Sequence, residues 1–155
     1  MDCLENIVVG VDFSESSHRV VEQAIRVAQQ DGASLVLLYV FSPPWKGADY
    51  VPRPSSENER QHSTSLSERL QVALQPFESE IGALPVEVNL VENVRESDGI
   101  IRFVEESAVD LVVVGTRGRT GIRAILLGTV AEHIVRESPC SVLAVKPDDF
   151  SYDID

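Results

Sequence analysis

The sequence is poor in the residues that several common functional classes require. Its 155 residues include only two lysines, two cysteines and three histidines, and acidic side chains outnumber basic ones by 25 to 13. The formal net charge of −12 argues against general nucleic-acid binding, because no basic face is expected that would attract a phosphate backbone. No apolar stretch is long enough to span a bilayer. We therefore expect neither nucleic acid nor a membrane as a partner.

The few cysteines and histidines are scattered along the chain. Cys3 and Cys140 indicate no disulfide framework. The histidines lie on different predicted elements, and none stands beside a cysteine or a second histidine in a metal-binding pattern. Asp2 and Glu5 interrupt the N-terminus, so no signal peptide is predicted. These features favour a cytoplasmic protein that has no metal site of its own.

Apolar residues recur in a pattern of alternating strands and helices. Helical spacing separates the strands. Ser14, Ser16 and Ser17 are candidate caps of the first helix and Ser97 is a candidate cap of the third. Pro76 should kink or split the second helix. Five short, largely apolar runs predict the strands, at 7–12, 35–41, 86–91, 111–114 and 141–145. This alternation specifies an α/β fold with a largely parallel five-stranded sheet. Right-handed crossovers favour a doubly wound order, 3-2-1-4-5, with helices on both faces.

The length suits one domain, residues 1–147, followed by an acidic C-terminal tail at 148–155. The third strand alternates apolar and polar residues, as expected at a sheet edge.

Residues 42–58, which include Trp45, are rich in proline, serine and charge and predict a loop. An aromatic there would either shield a ligand or pack on the domain surface.

A glycine-rich loop follows the fourth predicted strand. Gly115, Gly118 and Gly121 recur at intervals of three, and Gly128-Thr129 begins the next helix. Glycines let backbone N–H groups approach an anion, and a helix start favours negative charge. Guanidinium groups suited to phosphate oxygens accompany the glycines, at Arg117, Arg119 and Arg123. The loop therefore predicts a site for a polyanion, most simply the phosphate chain of a nucleotide.

Each part of the loop also has a purely structural interpretation. Gly115 would then be a turn at the strand end, and Thr129 with Glu132 a capping box. The combination in an acidic chain favours phosphate binding. In the predicted order, Asp12 and Gly115 end neighbouring strands at the topological switch point, where ligands bind in such sheets. The purely structural interpretation of Asp12 is an N-terminal cap for the following helix.

These residues resemble the universal stress proteins of the UspA superfamily. Relatives that bind ATP share Gly, two residues, Gly, nine residues, Gly, then Ser or Thr, and Gly115, Gly118, Gly128 and Thr129 match that spacing. The first strand and the last strand also look like that family. One segment departs from it, because Arg95-Glu96-Ser97-Asp98 stands where many relatives carry Gly-x-Pro.

The resemblance implies a regulator that binds ATP together with Mg²⁺. By analogy Asp12 lies near the ribose, the backbone of Val40 reads the adenine edge, and the glycine-rich loop holds the phosphates. The implied site comprises Val11, Asp12, Val40, Gly115, Arg117, Gly118, Arg119, Gly128, Thr129 and Val130. The resemblance also implies a homodimer paired through the last strand, at Val142, Leu143 and Val145.

The sequence lacks hydrolytic motifs. It has no Walker-type lysine loop and no Gly-x-Ser-x-Gly elbow. We therefore expect a nucleotide-responsive regulator of an unidentified client protein, with at most slow ATP hydrolysis or autophosphorylation. Two alternatives remain: a nucleotide-independent dimeric interaction module, and an enzyme such as an adenylating ligase. The segment after the first strand, at 13–16, does not match the Ser-Gly-Gly-rich loop of such ligases.

Overall fold

The computed structural model describes residues 3–42, 56–116 and 127–148 of the chain. Strands and helices alternate along it, as the sequence predicts. The strands are β1 (Asn6–Val11), β2 (Ser34–Phe41), β3 (Val86–Glu92), β4 (Leu111–Gly115) and β5 (Ser141–Val145). The helices are α1 (Ser17–Asp31), α2 (Ser56–Leu74), α3 (Glu78–Ile81), α4 (Glu96–Glu106) and α5 (Thr129–Glu137), with a short 3₁₀ turn at Gln75–Phe77.

The strands form one parallel sheet in the order β3-β2-β1-β4-β5. This confirms the predicted order, and it places β3 at an edge, as its alternating pattern indicates. Each face of the sheet carries its own cluster of buried side chains. Val9 and Val113 belong to one cluster and Val8 and Val112 to the other, so β1 and β4 are buried on both faces.

Helix boundaries follow the local sequence signals, with one exception. α1 is followed by Gly32, whose φ of 68° is a left-handed conformation that glycine adopts easily. Pro76 lies in the 3₁₀ turn that separates α2 from α3, so the predicted split is confirmed. Ser97 was expected to cap α4, and this was wrong. Arg95 precedes the helix, and Ser97 lies inside its first turn, only 7% exposed.

Close packing fixes the start of α4 against the end of β2. A Cβ atom at Gly99 would lie 2.6 Å from Val40 Cγ1 and 3.1 Å from Asn93 Cβ. Real Cβ contacts are longer, so only glycine lets the helix approach this closely. The first turn of α4 therefore lies directly over the carboxyl end of β2.

The last described residues are held against α1. Arg19 Nε donates a hydrogen bond to the Lys146 carbonyl at 2.9 Å, and the same guanidinium group pairs with Asp148 at 2.8 Å. Asp148 is the first residue of the predicted acidic tail. Among the residues described, no helix is both long and apolar enough to cross a membrane.

An aspartate joins the amino ends of β1 and β4. Asp110 Oδ2 accepts hydrogen bonds from the backbone N–H groups of Glu5 and Asn6, each at 2.9 Å. These bonds, that of Asn6 first, lower the pKa of the Asp110 carboxyl below its ordinary value of 3.8. The folded protein therefore favours the ionised form of this side chain.

We expect Asp110→Asn to destabilise the protein in a pH-dependent way. The contribution of the Asp110 charge is complete above the unfolded-state pKa, which is the ordinary value of 3.8, and it is lost as pH falls through the lower folded-state pKa. Urea unfolding from about pH 7 to about pH 3 should show the difference from wild type shrinking in acid. The control Glu105→Gln removes an exposed carboxylate from α4. A difference that stays constant over this range would contradict the role of Asp110.

Candidate functional site

A cleft of about 340 Å³ opens at the carboxyl end of the sheet, between β1 and β4. Six of the predicted site residues line it: Asp12, Val40, Gly115, Gly128, Thr129 and Val130. Val11 does not, because its side chain is 5% exposed and packs in the core. Arg117, Gly118 and Arg119 lie outside the described residues. The structure thus brings together residues from three strand ends and a helix start.

Asp12 is held in one orientation by the turn that follows β1. Its Oδ1 accepts hydrogen bonds from the Ser14 backbone N–H and from the Ser17 hydroxyl, both at 2.9 Å. The Ser14 bond is local and closes a turn of the Asx type. Asp12 is therefore not the N-cap of α1, because Ser16 occupies that position. The carboxylate is instead positioned at the wall of the cleft.

The backbone after Asp12 adopts an unusual conformation. Phe13 has a φ of 60°, a left-handed value that non-glycine residues rarely adopt. Its ring lies 4.6 Å from the ring of Tyr39, and the Arg69 guanidinium lies 4.1 Å from its centroid. These contacts hold Phe13 from two sides and support the turn that presents Asp12.

The opposite wall is built around the carbonyl of Thr116. This oxygen accepts a hydrogen bond from the Gly128 N–H at 2.8 Å, while the Thr116 N–H donates to the Val145 carbonyl at 3.0 Å. A Cβ atom at Gly128 would lie 2.9 Å from the Thr116 oxygen. Gly128 is thus required by close approach, since its φ of −61° suits any residue. One backbone unit ties β4, β5 and the start of α5 together.

The start of α5 offers backbone donors to the cleft. Gly128 is its N-cap residue, and within the described part of the chain no side-chain hydrogen bond caps the helix. The alternative interpretation of Thr129 and Glu132 as a capping box therefore does not hold, because the N-cap residue is Gly128. The N–H groups of the first helical turn have no partner within a helix, and the helix dipole makes this end electropositive. Three residues of that turn line the cleft: Thr129, Val130 and Ala131.

Val40 directs a backbone carbonyl toward the cleft. Along β2 the backbone N–H and C=O groups of even-numbered residues point toward β1, because the Ser34 N–H donates to the Glu5 carbonyl at 2.8 Å. Odd-numbered residues face β3, since the Phe41 carbonyl accepts from the Asn93 N–H. The backbone carbonyl of Val40 therefore points toward β1. The last residue pair between β1 and β2 is Val11–Tyr39. The Val40 carbonyl extends beyond the last paired residue of β1.

Several lining residues were not predicted as site residues. Ser14, Ser16 and Ser17 were noted only as helix caps, yet they line the cleft. The run of serines directly after β1 was a usable signal, because residues at that position meet the switch point. Glu96 and Thr116 also line the cleft. Thr116 directly follows Gly115, and Glu96 begins the helix after β3, so both come after strands at this edge of the sheet.

The charges around the cleft are arranged asymmetrically. The α5 start supplies N–H donors, whereas Asp12 and Glu96 supply carboxylates. No group of three or more metal-ligating side chains occurs within 3–42, 56–116 and 127–148. The site suits a ligand with an anionic end and an end that donates hydrogen bonds.

Comparison with known proteins identifies the family. Residues 4–146 match the model of the Universal stress protein family. The chain belongs to the universal stress protein family. Its relatives include a universal stress protein of Methanocaldococcus jannaschii, which is 31% identical over 144 residues, covering 92% of this chain and 82% of the relative.

Solved universal stress proteins share the fold. UspA from Lactobacillus plantarum has a TM-score of 0.78 at 21% identity, covering 94% of this chain and all of that one. A universal stress protein in complex with cAMP has a TM-score of 0.72 at 25% identity, covering 95% of this chain and 100% of that one. The Archaeoglobus fulgidus protein in complex with dAMP has a TM-score of 0.62 at 24% identity, covering 94% and 100%.

Gly128→Ala should destabilise this universal stress protein by about 1–3 kcal/mol, because the added methyl group would overlap the Thr116 carbonyl. The backbone angles are acceptable for alanine, so the cost is steric alone. Chemical denaturation measures the effect, and Thr129→Ala, at the exposed neighbouring position, is the control. An unfolding free energy within about 0.5 kcal/mol of wild type would contradict the close approach.

Proposed function

We propose that this universal stress protein binds ATP with Mg²⁺ in the cleft and acts as a nucleotide-responsive regulator of another protein. The observation that supports this most directly is the convergence of a helix start, a fixed carboxylate and a strand-end carbonyl on one cleft. These come from α5, Asp12 and Val40. Universal stress proteins of similar fold occur in complexes with cAMP and dAMP.

The strand order gives the proposed ligand a direction. Phosphates lie at β4 and α5, where the N–H groups of Thr129 and Val130 and the Thr129 hydroxyl donate to phosphate oxygens. The ribose lies at the end of β1, where the Asp12 carboxylate accepts from its hydroxyls. The adenine lies at the end of β2, where the Val40 carbonyl accepts from its amino group. Gly118, Arg117 and Arg119 belong to the loop proposed to cover the phosphates.

In this proposal, the acidity of the chain is the reason that a divalent ion accompanies the nucleotide. A triphosphate would meet the field of a protein with a net charge of −12. Mg²⁺ bound to the phosphates supplies charge neutralisation, and no protein carboxylate cluster is required for it. Within the proposed site, the residues of this chain hold and orient the nucleotide.

Regulation requires that ATP favour one state of the protein over another. The glycine-rich loop connects β4 to α5, so phosphates bound at α5 would order that loop in one conformation. A client protein that recognises the ordered loop would then bind according to nucleotide occupancy. If the affinity for a client and the oligomeric mass are both unchanged by ATP, the regulatory part of the proposal fails.

Thr129→Asp should abolish or strongly weaken ATP binding without loss of stability. The new carboxylate would repel phosphates at the α5 start, yet a negative charge there suits the helix dipole. We expect the dissociation constant for ATP with Mg²⁺ to rise at least about tenfold by calorimetric titration, with an unchanged or higher unfolding midpoint.

Thr64→Asp makes the same change at an exposed position on α2 and is the matched control. Equal ATP affinity in Thr129→Asp and Thr64→Asp would contradict phosphate binding at α5. Absence of ATP binding by folded wild type would overturn the nucleotide proposal and favour a nucleotide-independent interaction module.

We also propose a homodimer paired along β5. This strand is a sheet edge, and Val142 and Leu143 are only partly buried. Val145 is 7% exposed and packs in its own core, so its side chain is not available to a partner. Its carbonyl bonds to Thr116 on the β4 side, and by alternation the N–H group of Val142 points outward. An edge of this kind favours pairing with a second copy.

Val142→Pro should therefore convert the dimer to a monomer while the fold is retained. Proline removes an outward-facing donor and leaves the bonds between β5 and β4 in place. Light scattering measures the mass, and circular dichroism verifies the fold. Val142→Thr keeps the N–H group and should remain dimeric. A wild type that is monomeric, or a proline variant of unchanged mass, would contradict strand pairing.

A further inference from the structure

Glu96 is a cleft residue for which the proposed function has no role. It is half-buried and lines the same cleft as Asp12 and Val40. Its position is the first residue of α4, directly after the N-cap residue Arg95. A glutamate there also suits the helix dipole, which is the simplest structural explanation for it.

The packing of α4 determines which end of the cleft Glu96 meets. Gly99 is pressed against the Val40 side chain, which holds the first helical turn over the carboxyl end of β2. Residues three apart lie on one face of a helix, so Glu96 shares the side of Gly99. The glutamate is thus placed at the β2 end of the cleft, whereas the start of α5 meets β4, on the far side of β1.

We propose that Glu96 selects the base of the nucleotide by accepting a hydrogen bond from the exocyclic amino group of adenine. This rests on the proposed function, which puts the base at the end of β2. An ionised carboxylate only accepts hydrogen bonds, and so does the Val40 carbonyl. The base end of the cleft therefore presents two acceptors to a group that carries two hydrogens.

The same arrangement rejects a base that has an oxygen in place of the amino group. Hypoxanthine is such a base: it keeps the two-ring shape of adenine, with an oxygen at C6 and a hydrogen on N1. Its oxygen would face the Glu96 carboxylate and the Val40 carbonyl, and all three are acceptors. A site built to accept a hydrogen bond discriminates strongly against an analogue that cannot donate it.

The test compares ATP with inosine triphosphate, each with Mg²⁺, in calorimetric titrations of the full chain. The measured quantity is the ratio of the two dissociation constants, because any effect of Glu96 on the phosphates cancels in it. Wild type should bind ATP at least about tenfold more tightly. In Glu96→Gln the ratio should fall about tenfold or more, because the glutamine amide can donate to the inosine oxygen.

Asp98→Asn is the matched control. It removes one negative charge from the same helical turn, but Asp98 lies 3.5 Å from His133 and does not line the cleft. Its ratio should equal that of wild type. A helix-dipole role for Glu96 would alter stability in Glu96→Gln and leave the ratio unchanged.

The outcomes separate this inference from the proposed function. If ATP binds but the wild-type ratio is near one, or if Glu96→Gln keeps the wild-type ratio, base selection by Glu96 is overturned and ATP binding stands. Guanosine triphosphate bound more tightly than ATP would also overturn selection of adenine. If wild type binds neither nucleotide, both proposals fail.

Discussion

The pairing of β1 with β4 is the constraint on which the rest of the structure depends. These strands are about a hundred residues apart in the chain, yet Ile7, Val8 and Val9 pair in register with Leu111, Val112 and Val113. Burial on both faces stabilises the pair, and the Asp110 carboxylate fixes its amino end. From this pair the connections run to opposite edges of the sheet, so their first residues diverge and leave a cleft between them.

Hydrogen bonds at a strand end stabilise each wall of that cleft. The Asp12 wall depends on two serines, and the α5 wall depends on the Thr116 backbone and on the absence of a side chain at Gly128. The result is a polar axis across the sheet, with donors over β4 and acceptors over β1 and β2. A ligand that fits must match this polarity as well as the volume.

The sequence predicted the sheet order and the meeting of Asp12 with Gly115, because strand burial and crossover handedness determine them. It also predicted the split at Pro76, where the missing N–H group is a local cause. Details that depend on packing were not predictable. The α4 start was misplaced at Ser97 because nothing local shows that Gly99 docks on Val40, and the same docking carries Glu96 into the cleft. Gly128 was predicted as part of the phosphate-binding glycine pattern, and its close approach to the Thr116 carbonyl could not be read from the sequence.

The left-handed backbone at Phe13 places two opposing demands on one position. Glycine or asparagine would relieve a conformational cost of about 1–2 kcal/mol there. Either would give up the ring that lies against Tyr39 and Arg69. Substitution at this site therefore relieves the backbone conformation but loses the side-chain contacts that join the end of β1 to β2 and α2. We therefore expect residue 13 to covary with residues 39 and 69, the partners of its ring.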